Sequence, residues 1–174
     1  MDLSQISDQL LPSPKRFADC CLGISSTLIT GITALLPKKP GFTISIGSGS
    51  GLLEALIVHN DQNVTVVGVE VDSTINRYID EEDMNIVGGG WGLCSIARQA
   101  AAWMFVYPRD PNLVTKYIDA FGDQAVDLIV WLGPRVDWPD YEPRLCQSPF
   151  SELSFPDHIG LTPYETLVVA RRPC

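Results

Sequence analysis

Histidine is nearly missing from this 174-residue chain, which carries only His59 and His158. Its five cysteines, at positions 20, 21, 94, 146 and 174, are an odd set without a C-x-x-C pair. These absences leave no legible zinc site, so no metal is expected, and unpaired thiols suit a reducing compartment. Positive charge is scarce too: twelve Lys and Arg stand against twenty-one Asp and Glu, a formal net charge of −9. A phosphate backbone would meet net repulsion, so nucleic acid is not an expected partner. The opening MDLSQISDQLLPSPKRF has no basic stretch followed by an apolar run, as a secretory signal requires, and the expected location is cytoplasmic. One uncharged stretch, Cys20 to Pro37, just reaches membrane-spanning length, but its Ser, Thr and Gly content favours a buried helix and no membrane partner is expected.

Apolar residues make up 45% of the chain, enough for a sizeable core in one domain spanning 1–174. The expected division is an N-terminal helical segment, 1–40, followed by an α/β core, 41–174. Phe17 to Leu36 reads as one helix, with Lys38 and Lys39 suited to its C-terminus and Pro40-Gly41 as the stop. The β-branched run FTISI (42–46) passes through GSGSG into the leucine-rich LLEALIVHN, which is strand, glycine loop and helix. VTVVGVEVD, apolar almost throughout, is a strand covered on both faces of a parallel sheet. Further along, the pattern predicts a short strand at Asn85–Val87, a helix at Gly92–Ala101, a strand at Ala102–Tyr107, a helix at Asn112–Phe121 and a strand at Leu128–Leu132. A closing hairpin near Phe150–Phe155 and Glu165–Arg171 completes the alternation.

Gly47-Ser48-Gly49-Ser50-Gly51 lets successive N–H groups and a helix N-terminus face a polar or anionic ligand without Cβ obstruction. Nineteen residues after Gly51 the next strand ends in Glu70, with Asp72 two further on, where a carboxylate can accept from both hydroxyls of a ribose. A dinucleotide fingerprint would need a third glycine at position 52, which is Leu52. A nicotinamide cofactor is therefore disfavoured.

The motifs ISIGSGSG and VVGVEVD resemble those of the class I S-adenosylmethionine (SAM)-dependent methyltransferases, well over 42–72 and loosely elsewhere. The resemblance implies a Rossmann-like α/β fold, mostly parallel with a C-terminal antiparallel hairpin, and S-adenosyl-L-methionine as cofactor. It implies that Gly47, Ser48, Gly49 and Gly51 approach the methionine part, and that Glu70, with Asp72 as second candidate, holds the ribose. The chain departs from the family pattern at Ser45, where many members have an acid, and at Val87-Gly88-Gly89-Gly90-Trp91, where many have another. Trp91 is the candidate to hold the adenine by stacking.

Ligands of open α/β sheets bind outside the carboxyl ends of the strands. The loop Tyr107-Pro108-Arg109-Asp110-Pro111 lies where nitrogen-modifying members often carry an Asn/Asp-Pro-Pro-Tyr motif. Tyr107 is the candidate to orient an acceptor, Asp110 to act as base and Arg109 to bind an acidic group. Arg135 after the next strand is a second substrate-binding candidate, and His158, in PDHIG, is a candidate general base. The expected function is SAM-dependent methylation of a small molecule, by a chain short enough that a homodimer is plausible. The alternative is a non-methylating protein of the same fold, binding SAM only as a ligand or serving as a scaffold.

Overall fold

The computed structural model describes residues 1–89 and 92–174. A short helix, α1 (Leu3–Asp8), is opened by a reciprocal cap in which Gln5 N–H donates to Asp2 Oδ1 and Asp2 N–H donates to Gln5 Oε1, both at 2.9 Å. Strands β1 (Lys15–Phe17) and β2 (Cys20–Ile24) form a separate antiparallel hairpin, and α2 runs only from Ser26 to Leu35. The helix predicted from Phe17 is therefore half strand, and the 1–40 segment is not wholly helical. The true start is Ser25, whose hydroxyl accepts from Leu28 N–H at 2.9 Å. Gly23, unfavourable in a helix, instead lets the hairpin press close to Thr162 and Glu165.

The core is a seven-stranded sheet built from β3 (Thr43–Ile46), β4 (Val66–Glu70), β5 (Met84–Ile86), β6 (Ala102–Val106), β7 (Leu128–Pro134), β8 (Glu152–Ser154) and β9 (Glu165–Arg171). Its spatial order is β5-β4-β3-β6-β7-β9-β8, parallel except for β9, which runs antiparallel to both neighbours. This is the mostly parallel sheet with a C-terminal antiparallel hairpin expected from the sequence.

Three helices complete the α/β alternation: α3 (Leu52–Asn60), α4 (Pro111–Phe121) and α5 (Trp138–Cys146). Leu28 and Ile32 of α2 and Leu52 and Leu56 of α3 bury against Ala102, Met104 and Val130 on one face. Tyr117 of α4 and Leu145 of α5 bury against Trp103, Phe105 and Trp131 on the other. The sequence pattern missed α5, whose Pro139 and Pro143 read as breakers. Pro139 sits in the first turn, where a missing N–H costs nothing, and Trp138 and Tyr141 pack on Trp131 with ring centres 5.2 and 5.1 Å away. The helix predicted at Gly92–Ala101 is only a 3₁₀ turn at Ser95–Arg98.

The chain leaves β3 for β4 and β5 on one side, then returns to β6 on the other. The connections after β3 and β6 thus diverge to opposite faces and open a crevice at the carboxyl edge.

Candidate functional site at the carboxyl edge of the sheet

On the β3 side of the crevice the loop 47–51 carries positive φ at Gly47, Gly49 and Gly51. At Gly49 (φ +59°) an added Cβ would meet nothing within 4 Å, so the loop has an open side that only glycine backbone borders. Gly51 (φ +78°) is tight instead, its missing Cβ falling 2.6 Å from Ile79 Cγ1. That contact arises because residues 76–79 fold onto the loop, with the N–H groups of Arg77 and Tyr78 donating to Ser50 O at 2.9 and 3.1 Å.

Glu70, the last residue of β4, turns back onto this loop. Its Oε1 accepts from Gly49 N–H at 2.7 Å and its Oε2 from Val71 N–H at 3.1 Å. Asp72 does not join it. The Asp72 carboxylate accepts from the Thr74 hydroxyl at 2.7 Å and from Thr74 N–H at 2.8 Å, bonds that hold it below the usual carboxylate range on an exposed turn. Ser48 is turned inward, with its hydroxyl 4.0 Å from Met84 Sδ, so its side chain does not face the open side.

Beside Glu70 lies a small apolar slot walled by Ile46, Val71, Val87, Leu113 and Tyr117, with Gly89 and Gly92 at its edge. Trp91 lies outside the described residues. The wall residues Leu113 and Tyr117 come from α4, more than sixty positions from the glycine loop, so no local motif announced them.

Across the crevice, Tyr107 follows β6 with φ +49°, a backbone conformation a bulky residue rarely adopts. Its N–H donates to Leu132 O at 2.7 Å, and its phenol donates to Glu165 Oε2 at 2.5 Å. Glu165 is fully buried and also accepts from the Thr162 hydroxyl at 2.6 Å and from Gly23 N–H at 3.4 Å. Burial, and then the Glu165 carboxylate beside it, holds the Tyr107 phenol well above its ordinary range. Sequence reasoning missed Glu165. The available signal was a lone acid opening the apolar run TLVVA.

The other acceptor candidates are spread around this pair. Asp110 is the N-cap of α4, accepting from Asn112 N–H at 2.9 Å, and is exposed, as is Arg109. Arg135 donates through Nε to Pro163 O at 2.9 Å and so braces the 162–165 segment. His158 (φ +54°) lines a groove with Ser26, Thr27 and Thr30 of α2, a groove to which neither Tyr107 nor the glycine loop contributes.

The β1–β2 hairpin ties the two sides together. Arg16 donates twice to the Tyr164 hydroxyl, at 3.1 and 2.7 Å, Gly23 contacts Glu165, and Asp19 lies 3.8 Å from the Arg77 guanidinium. Cys20 within it is chemically quiet, its thiol pushed up to about 12 by burial.

No family model matches the sequence, nor does any curated protein. Among solved structures the chain is similar to precorrin-6y C5,15-methyltransferase from Geobacter metallireducens GS-15, with a TM-score of 0.64 and 10% identity over 90% of this chain and 93% of that one. It is similar to the methyltransferase domain of bacterial CtHen1, with a TM-score of 0.60 and 11% identity over 85% of this chain and 96% of that one. The 23S rRNA methyltransferase ErmE matches with a TM-score of 0.53 and 15% identity over 87% of this chain and 69% of that one. The chain therefore has the Rossmann-like fold of the class I methyltransferases. Because one of these structures is an rRNA methyltransferase, the fold by itself does not exclude a nucleic-acid acceptor. No helix among the described residues is long and apolar enough to cross a membrane.

Proposed function

We propose that the protein binds S-adenosyl-L-methionine across the glycine loop and transfers its methyl group to a small molecule. The observation that carries this reading is the Glu70 carboxylate folded onto Gly49 N–H beside an apolar slot, at the point where the sheet order reverses. The residues suit that cofactor. Glu70 can exchange a backbone donor for ribose hydroxyls, Val71, Val87, Leu113 and Tyr117 offer apolar walls to an adenine, and the open side of Gly47 and Gly49 leaves room for the methionine part.

When bound, SAM supplies a sulfonium-activated methyl group, so the protein's main task is in-line positioning of the acceptor. Tyr107 and Glu165 stand at the acceptor side. As a methyl group reaches an acceptor that carries a proton, that proton passes to Tyr107 Oη while the phenolic proton moves to Glu165, leaving a neutral carboxylic acid. The net charge of −9 favours a compact acceptor over a polyanion. Arg16, Arg109 and Arg135 at the rim suit one with an acidic substituent.

The non-methylating alternative draws on Asp110, already engaged as a helix cap, and on Tyr107, already hydrogen-bonded to Glu165. Turnover separates the readings. Incubation with SAM and a panel of small neutral and anionic nucleophiles is expected to yield S-adenosylhomocysteine with at least one of them, and none above background with total RNA. Product with RNA alone would overturn the acceptor class, and product with neither would favour the non-methylating reading.

A further inference from the structure

Among the described residues β1 and β2 pair only with each other. A lone two-stranded hairpin is marginal in water, so this one depends on what it rests against. Its register sets Lys15 opposite Ile24 and Phe17 opposite Cys20, which leaves Arg16 alone against Cys21, Leu22 and Gly23. β2 therefore bulges, and at the bulge Gly23 N–H reaches Glu165 Oε2 at 3.4 Å. Leu22 and Ile24 on either side are fully buried, so this end of the hairpin belongs to the core.

The tip is held differently. Arg16, Ala18 and Cys21 are exposed, and Phe17, Asp19 and Cys20 are half-buried. Beneath it lies α3, where the Glu54 carboxyl, buried and accepting from the Ser45 hydroxyl at 2.6 Å, is pushed up to about 7 by burial. The polar contacts of the tip fall on opposite sides of the crevice. Arg16 holds the hydroxyl of Tyr164, the neighbour of Glu165. Asp19 accepts from the Tyr78 phenol and lies 3.8 Å from the Arg77 guanidinium, and those two residues give their N–H groups to Ser50 O in the glycine loop. The tip thus runs from the Tyr107–Glu165 pair to the glycine loop on exposed polar contacts, which add little to stability. A segment with few buried contacts opens well before the fold does.

We propose that residues 16–21 are a gate across the crevice, swinging on the Leu22–Ile24 anchor, and that a ligand on the glycine loop draws it shut through Arg77, Tyr78 and Asp19. Filling the loop fixes Ser50, and with it the two residues bonded to its carbonyl oxygen and their hold on Asp19. The ligand closes the gate by as much as it binds the closed form more tightly. The identity of that ligand rests on the SAM reading above.

Trypsin reads the gate, because cleavage after Arg16 requires that side chain to leave Tyr164, and its rate follows the open population while reclosing is fast. Cleavage after Arg144, within α5, reports unfolding of the whole chain. In the free protein the first cut is expected to be at least about a hundredfold faster than the second. Saturating S-adenosylhomocysteine, its binding confirmed by calorimetry, is expected to slow the cut after Arg16 about tenfold, a coupling of ordinary size. Asp19→Ala is expected to speed that cut about tenfold and to leave the ligand less than about a twofold effect on it. Arg77→Gln/Tyr78→Phe, which removes both partners of Asp19 and keeps their backbone N–H groups, is expected to behave alike. A ligand that binds without slowing the cut, or slows it equally in these variants, would overturn this proposal alone, as would a cut after Arg16 no faster than that after Arg144. Failure of the wild type to bind S-adenosylhomocysteine would overturn the SAM reading and this proposal with it.

Discussion

Gly49→Arg is expected to weaken SAM binding by at least about a hundredfold while leaving a folded protein. At φ +59° a residue with a Cβ costs about 1–2 kcal/mol, a modest part of the roughly 5–15 kcal/mol that holds a domain together. The larger consequence is local. The new side chain departs into the side of the loop that is empty for 4 Å around the missing Cβ, which is the volume the ligand needs. Calorimetry for binding, with a thermal melt as the folding control, reads both effects. Retention of full affinity would show that the ligand does not lie over this loop.

Glu54→Gln is expected to stabilise the protein at neutral pH. A carboxyl pushed up to about 7 in the folded state binds its proton more tightly than the same group in the unfolded chain. Its contribution to stability is therefore fully present below the ordinary carboxylate value and is lost as pH rises through about 7. Glutamine keeps a neutral side chain of the same size against Ser45 at every pH. The variant should match the wild type near pH 4 and exceed it by on the order of 2–3 kcal/mol at pH 7.5, as measured by denaturant unfolding. Equal stability at both pH values would mean that Glu54 is not held protonated.

Much of this geometry could be read from residues in sequence order, and the exceptions have physical causes. TISIGSGSG and VVGVE are local signals: β-branched runs, glycines at positive φ, and an acid at a strand end. The structure folds Glu70 onto Gly49 N–H, a contact that the spacing alone does not specify. What stayed hidden depended on partners far away in sequence. CCLGI is apolar enough for a buried helix, but it pairs with Lys15–Phe17 as a hairpin and packs Gly23 against Glu165, 142 positions later. WPDYEPRLC is helical because Trp131 receives its aromatic rings, a packing effect that overrides the interior Pro143, while Pro139 sits in the first turn. Glu54 and Glu165 each sit in an apolar run where their charge looks misplaced. Their partners, Ser45 and Tyr107, come from β3 and from the residue after β6. An isolated acid within an otherwise apolar element is the sequence signal that both share.

The most direct test of the nucleoside site is isothermal titration of the purified protein with SAM, set against Glu70→Ala. Glu70 reaches the loop through one carboxylate oxygen on Gly49 N–H, so its loss removes the group proposed to receive the ribose without touching either core face. The account predicts micromolar binding by the wild type and a loss of about a hundredfold or more in the variant. No binding by the wild type, or equal binding by both, would contradict it.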